Sequence, residues 1–263
     1  MAVQPGLSAV HSGGNPKRYS NRDTHGQRNI IMPKLKSYDT DSFTFSINDK
    51  KIKFANVKGQ KTYIKNRMDR IMSKEPETIT WINSFEKDSV FFDVGANIGI
   101  YTLYSAVMRD NTVYSFEPHS ASYKNLLDSI NLNKLDKCQA YCVALSNQIS
   151  LSTINVKNMH EGVADNKVGQ RGDYYHGCTE MHLDYLVGKG ILPQPNYIKI
   201  DVDGFEDRVI KGSYATLQKC KSFLIEIDNK HIQYVEKLKD LGLTLKSQHK
   251  RNEEEFNYIF SND

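Results

Sequence analysis

The segment FFDVGANIGIYTLYSA, residues 91–106, contains a short apolar run, a turn with two glycines and the start of a helical pattern. Downstream of the turn, Ile100, Leu103, Tyr104 and Val107 follow the i, i+3, i+4, i+7 spacing that predicts an amphipathic helix. A strand, a glycine-containing turn and a helix in this order are typical of nucleotide sites in α/β proteins. The segment therefore predicts a nucleotide site and raises the question of which nucleotide it holds.

The same alternation of strand and helix continues along the chain. The predicted strands cover 90–94, 112–116, 139–145, 149–156, 197–202 and 223–227, and helices are predicted over 205–219 and 230–241. Because most of these strands are continuous apolar runs, they indicate a parallel sheet that is covered by helices on both faces. The expected fold is α/β, with a doubly wound, mostly parallel sheet and an antiparallel C-terminal hairpin formed by LTLKSQ and FNYIF.

The chain divides into three predicted regions. Residues 1–30 are rich in small and polar residues, and we expect a disordered or docking arm because they cannot offset their ordering entropy by burial. The pattern of residues 31–85 predicts a β-hairpin that turns at Asn48-Asp49. It also predicts helices that cover the main domain. Residues 86–263 form that domain. Its segment 157–180 is polar and irregular, which favours a lid that recognises the acceptor.

Composition limits the classes of protein that need to be considered. No apolar run approaches the roughly 18 residues that span a bilayer, and the N-terminus lacks a secretory signal pattern, so we expect a cytoplasmic protein without a membrane span. The four cysteines form no close pair of the kind found in zinc sites or disulfide frameworks. No metal site is predicted.

Charge is distributed unevenly. Residues 1–75 carry 15 Lys and Arg against 6 Asp and Glu, whereas residues 76–263 carry 20 against 25. A basic front favours a polyanionic partner such as nucleic acid, or it is simply a solvated basic arm. We favour the solvated arm because the basic residues are dispersed rather than grouped.

Three carboxylates lie at predicted strand ends: Asp93, Glu117 and Asp201. In a doubly wound sheet, ligands bind beyond the carboxyl ends of the strands, so these side chains are expected to meet at one crevice. A triphosphate-binding loop is excluded because no Gly-Lys-Ser/Thr follows, and the dinucleotide spacing G-x-G-x-x-G is absent. A carboxylate at the first strand end suits a ligand with a cationic amino-acid end and no phosphate.

Glu117 follows the second strand, and an ionised glutamate accepts hydrogen bonds from two vicinal hydroxyls. A ribose together with an amino-acid end and no phosphates describes S-adenosylmethionine. The alternative is that Glu117 only caps the helix after Pro118.

Four motifs occur in order: DVGANIG, SFEP, YIKIDVDGFEDRVIKG and FLIEI. Together they resemble the FkbM family of S-adenosylmethionine-dependent O-methyltransferases over roughly residues 75–230. The resemblance implies a Rossmann-like class I methyltransferase fold. Where the family usually has Val-Glu-Gly, this chain has Val202-Asp203-Gly204. The resemblance implies cofactor contacts at Asp93, Gly95, Asn97, Gly99, Glu117 and Ala144.

Methyl transfer from a sulfonium requires alignment of the acceptor oxygen, and a base helps when that oxygen belongs to a hydroxyl. The candidates for the base are Asp201, Asp203 and Glu206, with Asp201 preferred. These acids could instead cap the following helix or, less favourably, hold a divalent cation.

Substrate contacts are predicted at His182, Tyr174 and Tyr175, because a histidine can act as a base near neutral pH and tyrosines can stack on a sugar. For His182, a surface or structural role is the favoured alternative.

The leading hypothesis is an O-methyltransferase for a hydroxyl of a sugar, a glycan or another small molecule. Two alternatives remain at this stage. One is an RNA or other nucleic-acid methyltransferase that uses the basic front, and the other is a non-catalytic interaction protein on the same fold. The identity of the acceptor and the oligomeric state are left open.

Overall fold

The structure is a computed structural model, and it describes residues 42–47, 49–55, 71–156, 167–169 and 174–262. The predicted N-terminal arm, residues 1–30, lies outside the described residues, as does most of the segment 157–173. In the described part of the chain, no helix is both long enough and apolar enough to cross a bilayer.

Strands and helices alternate through most of the chain. The strands are β1 (Ser42–Ile47), β2 (Lys50–Ala55), β3 (Val90–Val94), β4 (Thr112–Phe116), β5 (Cys138–Tyr141), β6 (Ala144–Ser146), β7 (Ser150–Val156), β8 (Lys167–Val168), β9 (Tyr174–His182), β10 (Tyr197–Ile200), β11 (Ser222–Asp228), β12 (Thr244–Lys250) and β13 (Glu255–Ser261). The helices are α1 (Ile71–Lys74), α2 (Pro76–Asn83), α3 (Ile100–Arg109), α4 (Ser120–Leu132), α5 (Leu183–Gly188), α6 (Glu206–Lys211), α7 (Tyr214–Leu217) and α8 (Gln233–Asp240), with a 3₁₀ turn at Asn229–His231.

The central sheet has seven strands in the order β12-β13-β11-β10-β3-β4-β5. Neighbouring strands from β5 to β11 are parallel, and β13 is antiparallel to both of its neighbours. The strand order reverses beside β3, so the carboxyl ends of β3 and β10 border the crevice where such sheets bind ligands. This confirms the predicted Rossmann-like class I methyltransferase fold with its antiparallel C-terminal hairpin.

Apolar side chains fill both faces of the sheet. On one face, Phe91 and Leu224 belong to a buried cluster that also contains Trp81. On the other, Phe92 and Ile225 belong to a second buried cluster. Alternate residues of each strand point to opposite faces, so the near-continuous apolar runs of β3 and β11 supply both layers.

The predicted N-terminal β-hairpin is present as β1 and β2, which pair antiparallel from Ser42 opposite Ala55 to Ile47 opposite Lys50. Phe54 is fully buried in the same cluster as Phe91. The backbone N–H of Ala55 donates to Ser129 Oγ at 2.9 Å, which ties the hairpin to α4. The hairpin thus packs on the main domain through shared core and hydrogen bonds.

Two expectations for residues 139–180 were wrong. The predicted third strand, 139–145, is divided between β5 in the central sheet and β6 in a second, four-stranded sheet of order β6-β9-β7-β8. Residues 174–180, predicted to be irregular, belong to β9, which pairs antiparallel with β7. The polar composition of β9 hid the strand, because its pairing partner rather than its own apolar pattern holds it in place.

The region after β10 also differs from its prediction. The predicted strand 197–202 ends at Ile200, and Asp203 has a left-handed backbone with φ +53°. The predicted helix 205–219 is interrupted between α6 and α7. There the Ser213 hydroxyl donates to the carbonyl of Val209, and such back-bonding competes with regular helix geometry.

Candidate functional site

The turn after β3 is held in a conformation that favours glycine. Gly95 has φ +79°, and a Cβ atom there would lie 1.8 Å from the carbonyl oxygen of Asp201. The N–H groups of Gly95 and Ala96 both donate to the carbonyl of Phe116, at 2.9 and 3.1 Å. Gly99 has φ +85° and a similar restriction, since its Cβ would lie 2.3 Å from Leu126 Cδ1. The absence of side chains therefore lets the turn approach both β10 and α4.

A cavity of about 230 Å³ lies beyond the carboxyl ends of the parallel strands. Of the residues predicted for the site, six line it: Gly95, Asn97, Glu117, Ala144, Asp201 and Asp203. The others, which are not among its lining residues, are Asp93, Gly99, Glu206, His182, Tyr174 and Tyr175.

Glu117 is only 5% exposed and accepts two backbone hydrogen bonds. Asn97 N–H donates to Oε2 and His119 N–H donates to Oε1, both at 2.8 Å. Burial raises the pKa of Glu117 to about 7, although these two bonds favour the ionised form. The carboxylate is thus oriented by the backbone at the cavity wall, where it can accept hydrogen bonds from ligand hydroxyls.

Asp93 is buried beneath the turn rather than in the cavity wall. Its Oδ2 accepts a hydrogen bond from Thr102 Oγ1 at 2.6 Å, and Thr102 is also 2.7 Å from Ser115 Oγ. Its Oδ1 is buried and has no hydrogen-bond partner within the described residues. Burial raises the pKa of Asp93, while Lys199 opposes the rise. In this position Asp93 joins β3 to α3, and its charge interacts with that of Lys199.

Lys199 is the buried cation of the site, with 1% of its surface exposed. Its Nζ is 2.7 Å from Asp201 Oδ2 and lies 4.8 Å from the centre of the Tyr101 ring. Burial acts to raise the pKa of Asp201, but the charge and hydrogen bond of Lys199, together with the charges of Arg251 and Lys74, lower that pKa overall. An aspartate held in its ionised form in this way is a weak proton acceptor, so the geometry argues against Asp201 as the base.

The two other predicted acids, Asp203 and Glu206, have different surroundings. Glu206 Oε1 accepts the N–H groups of Val202 and Gly204, at 3.2 and 3.1 Å, and so caps the loop after β10. Burial raises the pKa of Glu206 to about 7. Asp203 lies in that loop and lines the cavity. The capping alternative therefore describes Glu206 better than a catalytic role does.

A second group of charged residues, centred on Arg251, also lines the cavity. Arg251 donates from Nε to Glu226 and from Nη2 to Glu75, each at 2.9 Å. It also donates from Nη1 to the carbonyl of Lys74 at 3.0 Å. One guanidinium thus connects the β12–β13 turn, β11 and the junction of α1 with α2.

The predicted substrate residues lie elsewhere. His182 caps α5, where its Nδ1 accepts the N–H of Tyr185 at 3.3 Å. Tyr174 and Tyr175 are 53% and 49% exposed on β9. The structure therefore brings none of the three to the cavity wall, and their contact with substrate stays a prediction.

Among the described residues, no group of three or more His, Cys, Asp or Glu side chains is arranged to hold a metal ion. The cysteines are also separate: Cys138, Cys142, Cys178 and Cys220 are all free thiols.

Comparison with known proteins identifies the family. The model of the methyltransferase FkbM domain matches residues 93–258, which is more than half of the chain. The chain belongs to the FkbM methyltransferase family.

Two curated proteins are similar to this FkbM-family chain. Hexuronic acid methyltransferase AglP from Haloferax volcanii is 29% identical over 145 residues, or 54% of this chain and 57% of the relative. Methyltransferase 1 from Beauveria bassiana is 25% identical over 148 residues, or 49% and 59%. The chain thus spans somewhat more than half the length of these relatives.

Solved structures with similar folds include methyltransferase FkbM from Methylobacillus flagellatus, with a TM-score of 0.48 and 14% identity over 67% of this chain and 44% of that chain. A SAM-dependent methyltransferase from Aquifex aeolicus has a TM-score of 0.47 and 13% identity over 78% and 98%.

Proposed function

We propose that this FkbM-family chain is an S-adenosylmethionine-dependent O-methyltransferase that acts on a hydroxyl of a sugar, a glycan or another small molecule. The observation that carries the proposal is the pairing of the Gly95 turn with the buried Glu117 carboxylate at the carboxyl ends of β3 and β4. Family membership supports methyl transfer as the reaction.

The charge of the cavity fits this cofactor. Its lining contains six carboxylates, Glu75, Glu117, Asp201, Asp203, Glu226 and Glu255, against three cations, Lys74, Lys199 and Arg251. An excess of carboxylates attracts a ligand that carries a sulfonium and an ammonium group, and it repels a pyrophosphate. The lining therefore disfavours a dinucleotide and agrees with S-adenosylmethionine.

Glu117 would accept hydrogen bonds from the ribose hydroxyls, and the backbone at Gly95 and Asn97 would border the amino-acid end. Ala144 would face the adenine through its backbone. Asp93 and Gly99 would shape the turn from beneath. The bound cofactor supplies an activated methyl group, so the chain mainly has to align the acceptor oxygen and exclude water.

The proposed acceptor is a sugar hydroxyl. The name of AglP as a hexuronic acid methyltransferase supports a sugar as the acceptor class. The charges support a hydroxyl rather than a carboxylate. Lys74 and Arg251 contact Glu75 within 3.9 and 2.9 Å, and Lys199 contacts Asp201 within 2.7 Å. Each cation that lines the described cavity thus already has a carboxylate partner, which leaves a uronate carboxylate without a ready counter-ion.

The test is transfer of a radiolabelled methyl group from S-adenosylmethionine to a panel of methyl hexosides and the matching hexuronides. We expect label on at least one hexoside, in a product that resists mild base hydrolysis, as an ether does and an ester does not. Glu117→Gln is the control and should lose transfer. Label only in base-labile hexuronide products would contradict hydroxyl transfer, and label on no acceptor would contradict the sugar class.

A further inference from the structure

We infer that Glu226 is the residue that takes the proton from the acceptor hydroxyl, and that Arg251 positions it. The inference rests on the proposed function and assigns its chemistry to a carboxylate on β11 rather than to the acids of the loop after β10.

The register of the sheet places Glu226 beside Asp201 at the cavity. Ile200 on β10 pairs with Ile225 on β11, so Asp201 and Glu226 are the next residues at the carboxyl ends of two adjacent parallel strands. Residues at matching positions of parallel strands point to the same face. Both residues line the cavity, and Gly95 lines it as well.

The other buried acids of the cavity already serve other partners. Asp201 is paired with Lys199 at 2.7 Å, and Glu117 accepts two backbone N–H groups. Glu75 accepts hydrogen bonds from Thr78 and Arg251.

Glu226 differs because, among the described residues, its one hydrogen-bond donor is Arg251 Nε, which lies 2.9 Å from Oε2. No other group in the described part of the chain bonds this carboxylate, so Oε1 remains to accept a hydrogen bond from a hydroxyl.

The electrostatic surroundings suit a base near neutral pH. Burial first, and then Asp201, raises the pKa of Glu226 to about 8, against the opposing charges of Arg251 and Lys199. On the neighbouring strand β13, Asn257 pairs opposite Glu226. The side-chain amide of Asn257 donates to Glu77 at 2.8 Å rather than to Glu226. A base is most effective when its pKa lies near the working pH.

The step conserves atoms and charge. The acceptor oxygen forms its bond to the methyl carbon as the carbon–sulfur bond breaks, and that bond's electron pair remains on sulfur. The hydroxyl proton passes to Oε1 of the ionised Glu226. The products are a methyl ether, a neutral thioether and a protonated Glu226, which then releases its proton to water.

The test compares Glu226→Gln with the wild-type protein and with Glu236→Gln, which removes an exposed acid on α8 that pairs with Lys239. Turnover is measured on the hexoside that the wild type methylates best, and S-adenosylhomocysteine binding is measured by calorimetry. We expect Glu226→Gln to lower kcat about 100-fold or more, within the usual range for loss of a general base, with cofactor affinity unchanged within about twofold. The rise of wild-type kcat with pH around pH 8 should disappear in this variant, whereas Glu236→Gln should behave as the wild type.

Glu226→Asp provides a second test that keeps the carboxylate. It should retain at least about ten times the activity of Glu226→Gln, because a displaced base still accepts a proton. Equal losses in both variants, an unchanged kcat in Glu226→Gln or a parallel loss of S-adenosylhomocysteine binding would each overturn the assignment and leave the proposed function standing. Binding of S-adenosylhomocysteine without methylation of any acceptor by the wild type would instead overturn the proposed acceptor class, and this inference with it.

Discussion

Replacing Gly95 by alanine would place a methyl group where the backbone of the neighbouring strand end already lies. The new Cβ would be 1.8 Å from the carbonyl oxygen of Asp201 and 2.8 Å from its carbonyl carbon. Neither atom is the flexible end of a side chain, so the turn or the end of β10 must move by more than an ångström. The left-handed backbone, with φ +79°, adds a second penalty.

The two penalties can be separated by a matched variant. A non-glycine residue in the left-handed region costs roughly 1–2 kcal/mol, and overpacking in a rigid site costs roughly 1–3 kcal/mol. Gly242 has φ +84°, and a Cβ there would meet no heavy atom within 4 Å. Gly242→Ala should therefore lower the free energy of unfolding by only the backbone cost of roughly 1–2 kcal/mol. Gly95→Ala should lower it by the sum of both costs, roughly 2–5 kcal/mol.

Urea denaturation gives both free energies, and calorimetry with S-adenosylhomocysteine gives the effect on the site. Gly95→Ala should bind at least about tenfold more weakly, which corresponds to 1.4 kcal/mol, while Gly242→Ala should bind as the wild type. Equal stability losses in the two variants, with equal binding, would refute the conclusion that the turn and the Asp201 carbonyl are in contact.

Three further variants test separate features. Gly212→Ala would place a Cβ 2.0 Å from the carbonyl oxygen of Ser146, so urea denaturation should show a loss of about 1–3 kcal/mol; a loss below 0.5 kcal/mol would contradict that contact. Glu206 has a folded pKa of about 7, above its unfolded value, so its contribution to stability is present below pH 4.5 and is lost as the pH rises through 7. Glu206→Gln keeps the accepting oxygen, and its unfolding free energy relative to wild type should rise by about 2–3 kcal/mol from pH 5 to pH 9, whereas a constant difference would refute the shift. Glu117→Gln should weaken S-adenosylhomocysteine binding at least about tenfold in calorimetry, because an NH₂ group then faces one of two backbone donors; unchanged affinity would remove Glu117 from the site.

The sheet was predictable because its strands are short apolar runs with clear ends. The predicted bounds of 90–94 and 112–116 coincide with β3 and β4. Glu117 could be identified because it directly follows β4, and a carboxyl end of a parallel strand is where ligands of this fold lie.

The positions of the cations in the cavity wall could not be predicted from the sequence in the same way. Lys199 did leave a signal, since a lysine within the apolar run YIKI must be buried and therefore needs an anionic partner. Arg251 left no such signal, because a charged turn in the sequence predicts solvent exposure. Its contacts with Glu75 and Glu226 depend on how β12 and β13 fold back on the sheet.

The division of 139–145 between two sheets has a similar cause. Tyr141 pairs with β4, whereas Ala144 pairs with Glu180 on β9. Both halves are apolar enough for a strand, and only the tertiary pairing decides that the chain changes sheets between them.

The central claim, that the cavity beside Glu117 holds S-adenosylmethionine, is tested most directly by calorimetric titration of the protein with S-adenosylmethionine, S-adenosylhomocysteine and NAD. We expect both sulfur compounds to bind with a Kd of about micromolar, or roughly 8 kcal/mol, with loss of binding in Glu117→Ala and no binding of NAD. Binding of NAD, or no binding of either sulfur compound by the wild-type protein, would contradict the account.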